Sequence, residues 1–177
     1  MNKKLIKTIA SIICGLGTTT IIPCVASSCG NSSNNILPKE VYKFSDDGKT
    51  LLGFKDAFLN DPNSKIYKDK FTNCDTMRIP ANATSIAYFA FIDDPAKKNS
   101  TIPNFITKLT FAKESVCSSI ELGAFAFCST LIFVNLPNSL IEIGNSAFQG
   151  CSILTSIDFS NATNLSSIGV SVFRDCS

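Results

Sequence analysis

One phrase recurs through the last third of the chain. Ile143-Gly144-Asn145-Ser146-Ala147-Phe148-Gln149-Gly150-Cys151-Ser152 returns as Ile168-Gly169-Val170-Ser171-Val172-Phe173-Arg174-Asp175-Cys176-Ser177. The same frame fits Ile120, Phe125, Cys128 and Ser129. Successive cysteines stand 23 and then 25 residues apart, and the two extra residues fall in the polar stretch 161–164, a turn by composition. A unit of this size cannot bury its own Phe, Leu and Ile. It is stable only when stacked on copies of itself, so a short fixed period dictates a solenoid. Such a stack offers a surface for binding and does not by itself build a catalytic pocket.

Between the cysteines runs a second apolar frame: Leu131, Val134, Leu136, Pro137, Leu140, Ile143, then Leu154, Ile157, Phe159, Ser160, Leu165, Ile168. Ile106, Leu109, Phe111, Cys117 and Ile120 fit the same slots, and Cys74, Met77, Ile79, Pro80, Ile86 and Phe91 fit more loosely. Val134-Asn135-Leu136 and Ile157-Asp158-Phe159 alternate apolar and polar, the pattern of a short strand with one face inward. Phe148 and Cys151, at i and i+3, predict a helical turn that Asn145 or Ser146 caps and Gly150 ends.

These residues resemble the BspA-like leucine-rich repeats of bacterial and protist surface proteins, whose phrase runs L-x-x-I-x-(I/L)-P-x-x-(L/V)-x-x-I-G-x-x-A-F-x-x-C. Residues 131–151 match it, with Pro137, Gly144, Ala147, Phe148 and Cys151 in place. The next unit departs at Ser160 and Val172; the preceding one departs at Ala112, Cys117 and Glu121. The resemblance covers roughly residues 70–177. It implies an α/β fold, a right-handed leucine-rich-repeat solenoid of short parallel strands and short helical turns with a repeat of about 23 residues, and a role in binding or adhesion.

The other end of the chain is an address. Lys3, Lys4 and Lys7 precede an apolar run from Ile9 to Val25, and Ala26-Ser27-Ser28 follow. A positive start, an apolar middle and small residues at the end make 1–28 a secretory signal. Gly15, Gly17 and Pro23 interrupt the run, which argues against a permanent spanning helix. Small residues before Cys29 resemble a bacterial lipoprotein signal of the kind found in wall-less bacteria. That resemblance implies that Cys29 becomes the acylated first residue, that 29–40 is a lipidated flexible tether, and that the chain sits on the extracellular face of the cell membrane. Ala26 stands where that pattern has a larger apolar residue. Cys24 competes, although Pro23 hinders cleavage before it. The alternative is an ordinary secretory signal cut near Ser28, with Cys29 a free thiol.

Of the 16 basic residues, Lys3, Lys4 and Lys7 lie in the signal, so the rest are outnumbered by one against 14 acids. No basic stripe offers itself to nucleic acid. Five cysteines follow the tether: Cys74, Cys117, Cys128, Cys151 and Cys176. An odd number argues against a full disulfide framework, and three in one repeat slot predict a buried thiol ladder. A Cys128–Cys151 disulfide is the alternative, which parallel side chains suit poorly. With no His in the chain and no CxxC pair, no metal site or cofactor is expected.

Val41-Tyr42-Lys43-Phe44 alternates like a strand, 45–49 is a turn, and Leu51-Leu52-Gly53-Phe54 resembles a degenerate unit. Residues 41–70 are therefore read as an N-terminal capping unit and 71–177 as the solenoid, its last repeat incomplete. Polar, Pro-containing insertions at 60–70 and 93–104 are surface loops.

The absence of His excludes Ser-His and Cys-His nucleophiles, and Gly15-Leu16-Gly17 is no phosphate loop. The paired acids Asp46-Asp47 and Asp93-Asp94 read as solvated turns, so no catalytic residue is assigned. The expected function is a surface-anchored lipoprotein that binds protein or mediates adhesion through its repeat surface, with a host or extracellular matrix protein as partner. Asn135 and Asp158, on outward strand positions, are the candidate contacts, with the loop charges at 68–70 and 93–98. A passive coat or antigenic decoy is the alternative.

Overall fold

Alternation decides the strands. Met77, Leu109, Val134 and Ile157 each sit between two less buried neighbours and point into the core. The computed structural model describes residues 36–37, 39–55, 74–91 and 106–176. The signal 1–28, Cys29, most of the tether and the capping unit beyond residue 55 lie outside the described residues, as do 68–70 and 93–98.

The strands are β1 (Tyr42–Phe44), β2 (Thr50–Phe54), β3 (Thr76–Ile79), β4 (Ser85–Ile86), β5 (Lys108–Phe111), β6 (Ser119–Ile120), β7 (Phe133–Asn135), β8 (Glu142–Ile143), β9 (Ser156–Asp158) and β10 (Ser167–Ile168). They form two sheets, β3-β5-β7-β9 and β1-β2-β4-β6-β8-β10. All pairs are parallel except the β1–β2 hairpin. In that hairpin's turn, Asp47 accepts a hydrogen bond from Ser45 Oγ and one from the Lys49 N–H. Each later rung crosses the four-stranded sheet, turns a corner, crosses the six-stranded sheet and returns by an arc. The repeat solenoid of parallel strands is thus present, with two strands in every rung.

The arcs differ from expectation. The Phe-x-x-Cys segment is a chain of turns, and the only helical element among the described residues is the 3-10 turn Lys39–Val41. The reason lies in the N–H groups. An α-helix directs each of them to the carbonyl four residues back. In the arc 121–128 every second N–H leaves the rung: Gly123, Phe125 and Phe127 donate to the carbonyls of Asn145, Ala147 and Gln149 at 2.9, 2.8 and 2.7 Å. The alternate N–H groups, of Ala124, Ala126 and Cys128, close four-residue turns inside the rung. Ser146, Phe148 and Gly150 repeat the outward set toward Val170, Val172 and Arg174. Left-handed residues keep the chain from coiling. They stand two before the Phe of the repeat slot (Phe89, Gly123, Ser146, Ser171) and two after it (Phe127, Gly150, Asp175). Each non-glycine there costs about 1–2 kcal/mol, offset by the ladder.

The core is one cluster running through every rung; no charged side chain among the described residues is buried, and the Tyr42 hydroxyl is enclosed within it. Its axis is a stack of rings. Phe91, Phe125 and Phe148 lie nearly parallel with centroids 5.3 Å apart, Phe173 continues the stack at 6.0 Å, and at the other end Phe54 meets Phe91 edge-on at 5.0 Å and stacks on Tyr42 at 5.7 Å.

The repeat-slot cysteines have a directional role. Cys128 Sγ donates to the Phe91 carbonyl at 3.1 Å, Cys151 Sγ to Phe125 at 3.2 Å and Cys176 Sγ to Phe148 at 3.1 Å, each linking a rung to the one before. All five described cysteines are free thiols. Burial pushes the Cys117 thiol up to about 12. The Cys128 thiol beside it, and burial, push Cys151 up; Cys176 rises by the Cys151 thiol and burial. Native protein mixed with a thiol-alkylating reagent at pH 9 is therefore expected to leave Cys117 and Cys151 unmodified by peptide mapping, and to modify both once unfolded. The linked stability effect has a definite sign. Cys117 is held protonated in the fold, so its contribution is full below pH 9.0, the unfolded value, and is lost as pH climbs from there toward about 12.

Candidate binding face and groove

Side chains of alternate residues leave the four-stranded sheet on its outer side. Strand register gathers them into rows. One row is Thr76, Lys108, Phe133 and Ser156; the other is Arg78, Thr110, Asn135 and Asp158. Asn135 and Asp158, the two sequence candidates, are brought together here. They are half-buried rather than free, and Asn135 Nδ2 donates to Asp158 Oδ2 at 3.0 Å. Hydrogen bonds from Ser160, chiefly, and from Asn135 hold the Asp158 carboxyl below its usual range. Asp158 is therefore a fixed negative charge at one end of its row. Arg78, exposed and without an ion pair among the described residues, is the positive charge at the other.

Lys108 pairs with Asp75 at 2.7 Å, and Thr76 Oγ1 donates to the same carboxylate. Burial raises Asp75, but the hydrogen bonds from Lys108 and Thr76 outweigh it and the carboxyl titrates low. The pair is 42% and 34% exposed, so it contributes at most about 1 kcal/mol. Its effect is to fix the Lys108 ammonium on the outer face. Arg78, Thr110, Lys108 and Phe133 were not singled out in the sequence. Their signal was available: each flanks a core residue of the L-x-x-I-x-I frame, as Asn135 and Asp158 do.

At the edge of this face, where the strands turn toward the second sheet, lies an open groove of about 700 Å³. It includes Asn135 and runs over the main chain of 137–139. Asn161 and Asn164 stand on one side; Ser115 and Val116 stand on the other. The chemistry of face and groove is that of recognition: amides, hydroxyls, single charges and one aromatic ring. No group of His, Cys, Asp and Glu among the described residues could hold a metal.

A family model described as BspA type leucine rich repeat region matches residues 50–176 in 6 copies. No curated protein matches the chain. Among solved structures, the pneumococcal vaccine antigen PcpA is similar at 18% identity and a TM-score of 0.47, over 80% of this chain and 38% of that one. The leucine rich repeat protein of T. pallidum is similar at 18% identity and a TM-score of 0.33, over 75% and 81%.

Proposed function

Because the chain belongs to the BspA type leucine rich repeat family, we propose that it is a surface protein that binds a protein partner through the outer face of its four-stranded sheet. The carrying observation is the contrast between the two sides of the strands. The inward residues are Met77, Leu109, Val134 and Ile157, all large and aliphatic. The outward residues beside them are Arg78, Thr110, Asn135 and Asp158, all polar but each of a different kind. Packing dictates the first set and leaves the second free, the division a solenoid uses for recognition. No step of catalysis is assigned to it.

The anchor belongs to the same proposal and rests on sequence alone. Acylation of Cys29 holds the chain on the extracellular face of the membrane, with two or three acyl chains each adding about 0.8 kcal/mol per buried CH₂. Palmitate labelling of cells is expected to mark the protein and to vanish in Cys29→Ser. A Cys29→Ser protein that stays in the membrane fraction defeats the anchor.

For the binding face, the full chain in detergent is added to host cells and to immobilised extracellular matrix proteins. Saturable binding is expected, removed by prior protease treatment of the target. Arg78→Glu and Asp158→Lys are each expected to weaken it at least about fivefold, the loss of a single directed ionic contact. Lys43→Glu, on β1, is expected to leave it unchanged. Absence of saturable binding to any surface favours the passive coat.

A further inference from the structure

Successive corners between the two sheets alternate in length. They can be measured between the inward residues of the repeat frame that flank them: Ile79 and Ala83, Phe111 and Cys117, Leu136 and Leu140, Phe159 and Leu165. The corners are 80–82, 112–116, 137–139 and 160–164: three residues, five, three, five. The short corner 137–139 is therefore recessed between two longer ones. Rungs stand about 4.8 Å apart, so the two walls are separated by about 10 Å, the room for a single ligand chain. This is the origin of the groove, and most of the additional length at 160–164 faces solvent. Of its residues only Ala162 is buried.

We infer that this groove is a binding site for a neutral saccharide. The argument is chemical. The wall at 160–164 presents Asn161 and Asn164, exposed and with side-chain amides that have no partner among the described residues. The floor presents Asn138, whose Oδ1 is occupied by Thr163 Oγ1 and whose amide hydrogens remain available. Each amide both donates and accepts in a fixed geometry, which matches vicinal hydroxyls. On the opposite wall Lys113 and Glu114 cancel in charge, which gives no preference for an anionic sugar. Val116, 52% exposed, supplies apolar surface for the C–H face of a pyranose. An extended peptide fits less well. Strand addition needs a free sheet edge, and here the neighbouring rungs flank the floor on both sides.

The site adjoins the protein-binding face at Asn135, but its test is separate. The full chain in detergent is applied to immobilised neutral oligosaccharides of hexose and N-acetylhexosamine, to their sialylated and sulfated counterparts, and to a peptide array. Retention on a subset of the neutral sugars is expected. Asn161→Ala with Asn164→Ala is expected to lower it at least about tenfold, the worth of two lost hydrogen bonds. Asn138→Trp, which fills the groove, is expected to abolish it. Arg78→Glu is expected to leave it unchanged while it weakens the protein partner. Circular dichroism confirms that each variant is folded. No retention on any neutral sugar, a preference for charged sugars or peptides, or undiminished retention by the folded variants each overturns the proposal.

Discussion

Phe125→Ala is expected to lower the stability of the solenoid by about 4 kcal/mol or more and to divide its unfolding into two steps. The ring is fully buried, and truncating a buried Phe costs about 3–5 kcal/mol through lost transfer energy and the cavity left behind. Phe125 also faces two partners, Phe91 and Phe148, each at 5.3 Å and within 7° of parallel. Such a pair contributes about 0.5–1.5 kcal/mol beyond burial. The total is a large share of the 5–15 kcal/mol that holds an ordinary domain folded. In a stack whose rungs touch only their neighbours, the deficit falls on the two interfaces flanking one rung. The segments on either side then lose their coupling. Urea unfolding followed by circular dichroism is expected to show a lowered, broadened transition that resolves into two. Phe125→Leu, which keeps most of the volume, is expected to retain a single transition. Phe173→Ala, at a half-buried ring with one stacked partner, is expected to cost about half as much. A Phe125→Ala midpoint equal to the parent's means that the ring stack does not hold the rungs together.

The same locality explains what the sequence could disclose. Phe91, Phe125, Phe148 and Phe173 were visible as one slot because each takes the same place in the ring stack of a new rung, and repetition turns a weak signal into a strong one. The outward position of Asn135 and Asp158 followed from strand alternation alone. Their mutual hydrogen bond did not, since it depends on register between strands 23 residues apart. The arcs misled for a physical reason. Phe and Cys at i and i+3 share a face in a helix, but they share one equally in a run of turns. The choice between the two is made by N–H groups bonding to the next rung, which no single unit contains. The left-handed slots were hidden because Phe89, Gly123 and the serines at 146 and 171 share a backbone angle that side-chain chemistry does not announce. β8 and β10 are two residues each, too short for alternation to register. The groove depends on unequal corner lengths in adjacent rungs, a relation between units rather than a motif within one.

Gly144→Val is expected to be strongly destabilising. Gly144 has a backbone any residue can adopt; what it lacks is room. A Cβ placed there lies 2.7 Å from the carbonyl carbon of Glu121 and 2.7 Å from the nitrogen of Leu122. Both are main-chain atoms of the preceding rung, so no rotamer change relieves the contact. Nor can the rungs part locally. The Gly144 N–H donates to Ile120 O at 2.7 Å, and Ile143 is paired with Ile120 one residue earlier. Separation breaks these bonds and the Gly123-to-Asn145 bond beside them. Overpacking of a close-packed contact costs about 1–3 kcal/mol, and the bonds lost add about 1 kcal/mol each. The expected destabilisation is about 3–5 kcal/mol, with Gly144→Ala at the lower end. Gly48→Ala is the control that separates crowding from backbone strain. Its Cβ meets nothing within 4 Å, although its φ is +69°. It is expected to cost only about 1–2 kcal/mol, the left-handed penalty by itself. If Gly144→Val unfolds in urea no earlier than Gly48→Ala, close approach of the main chains is not what makes glycine necessary there.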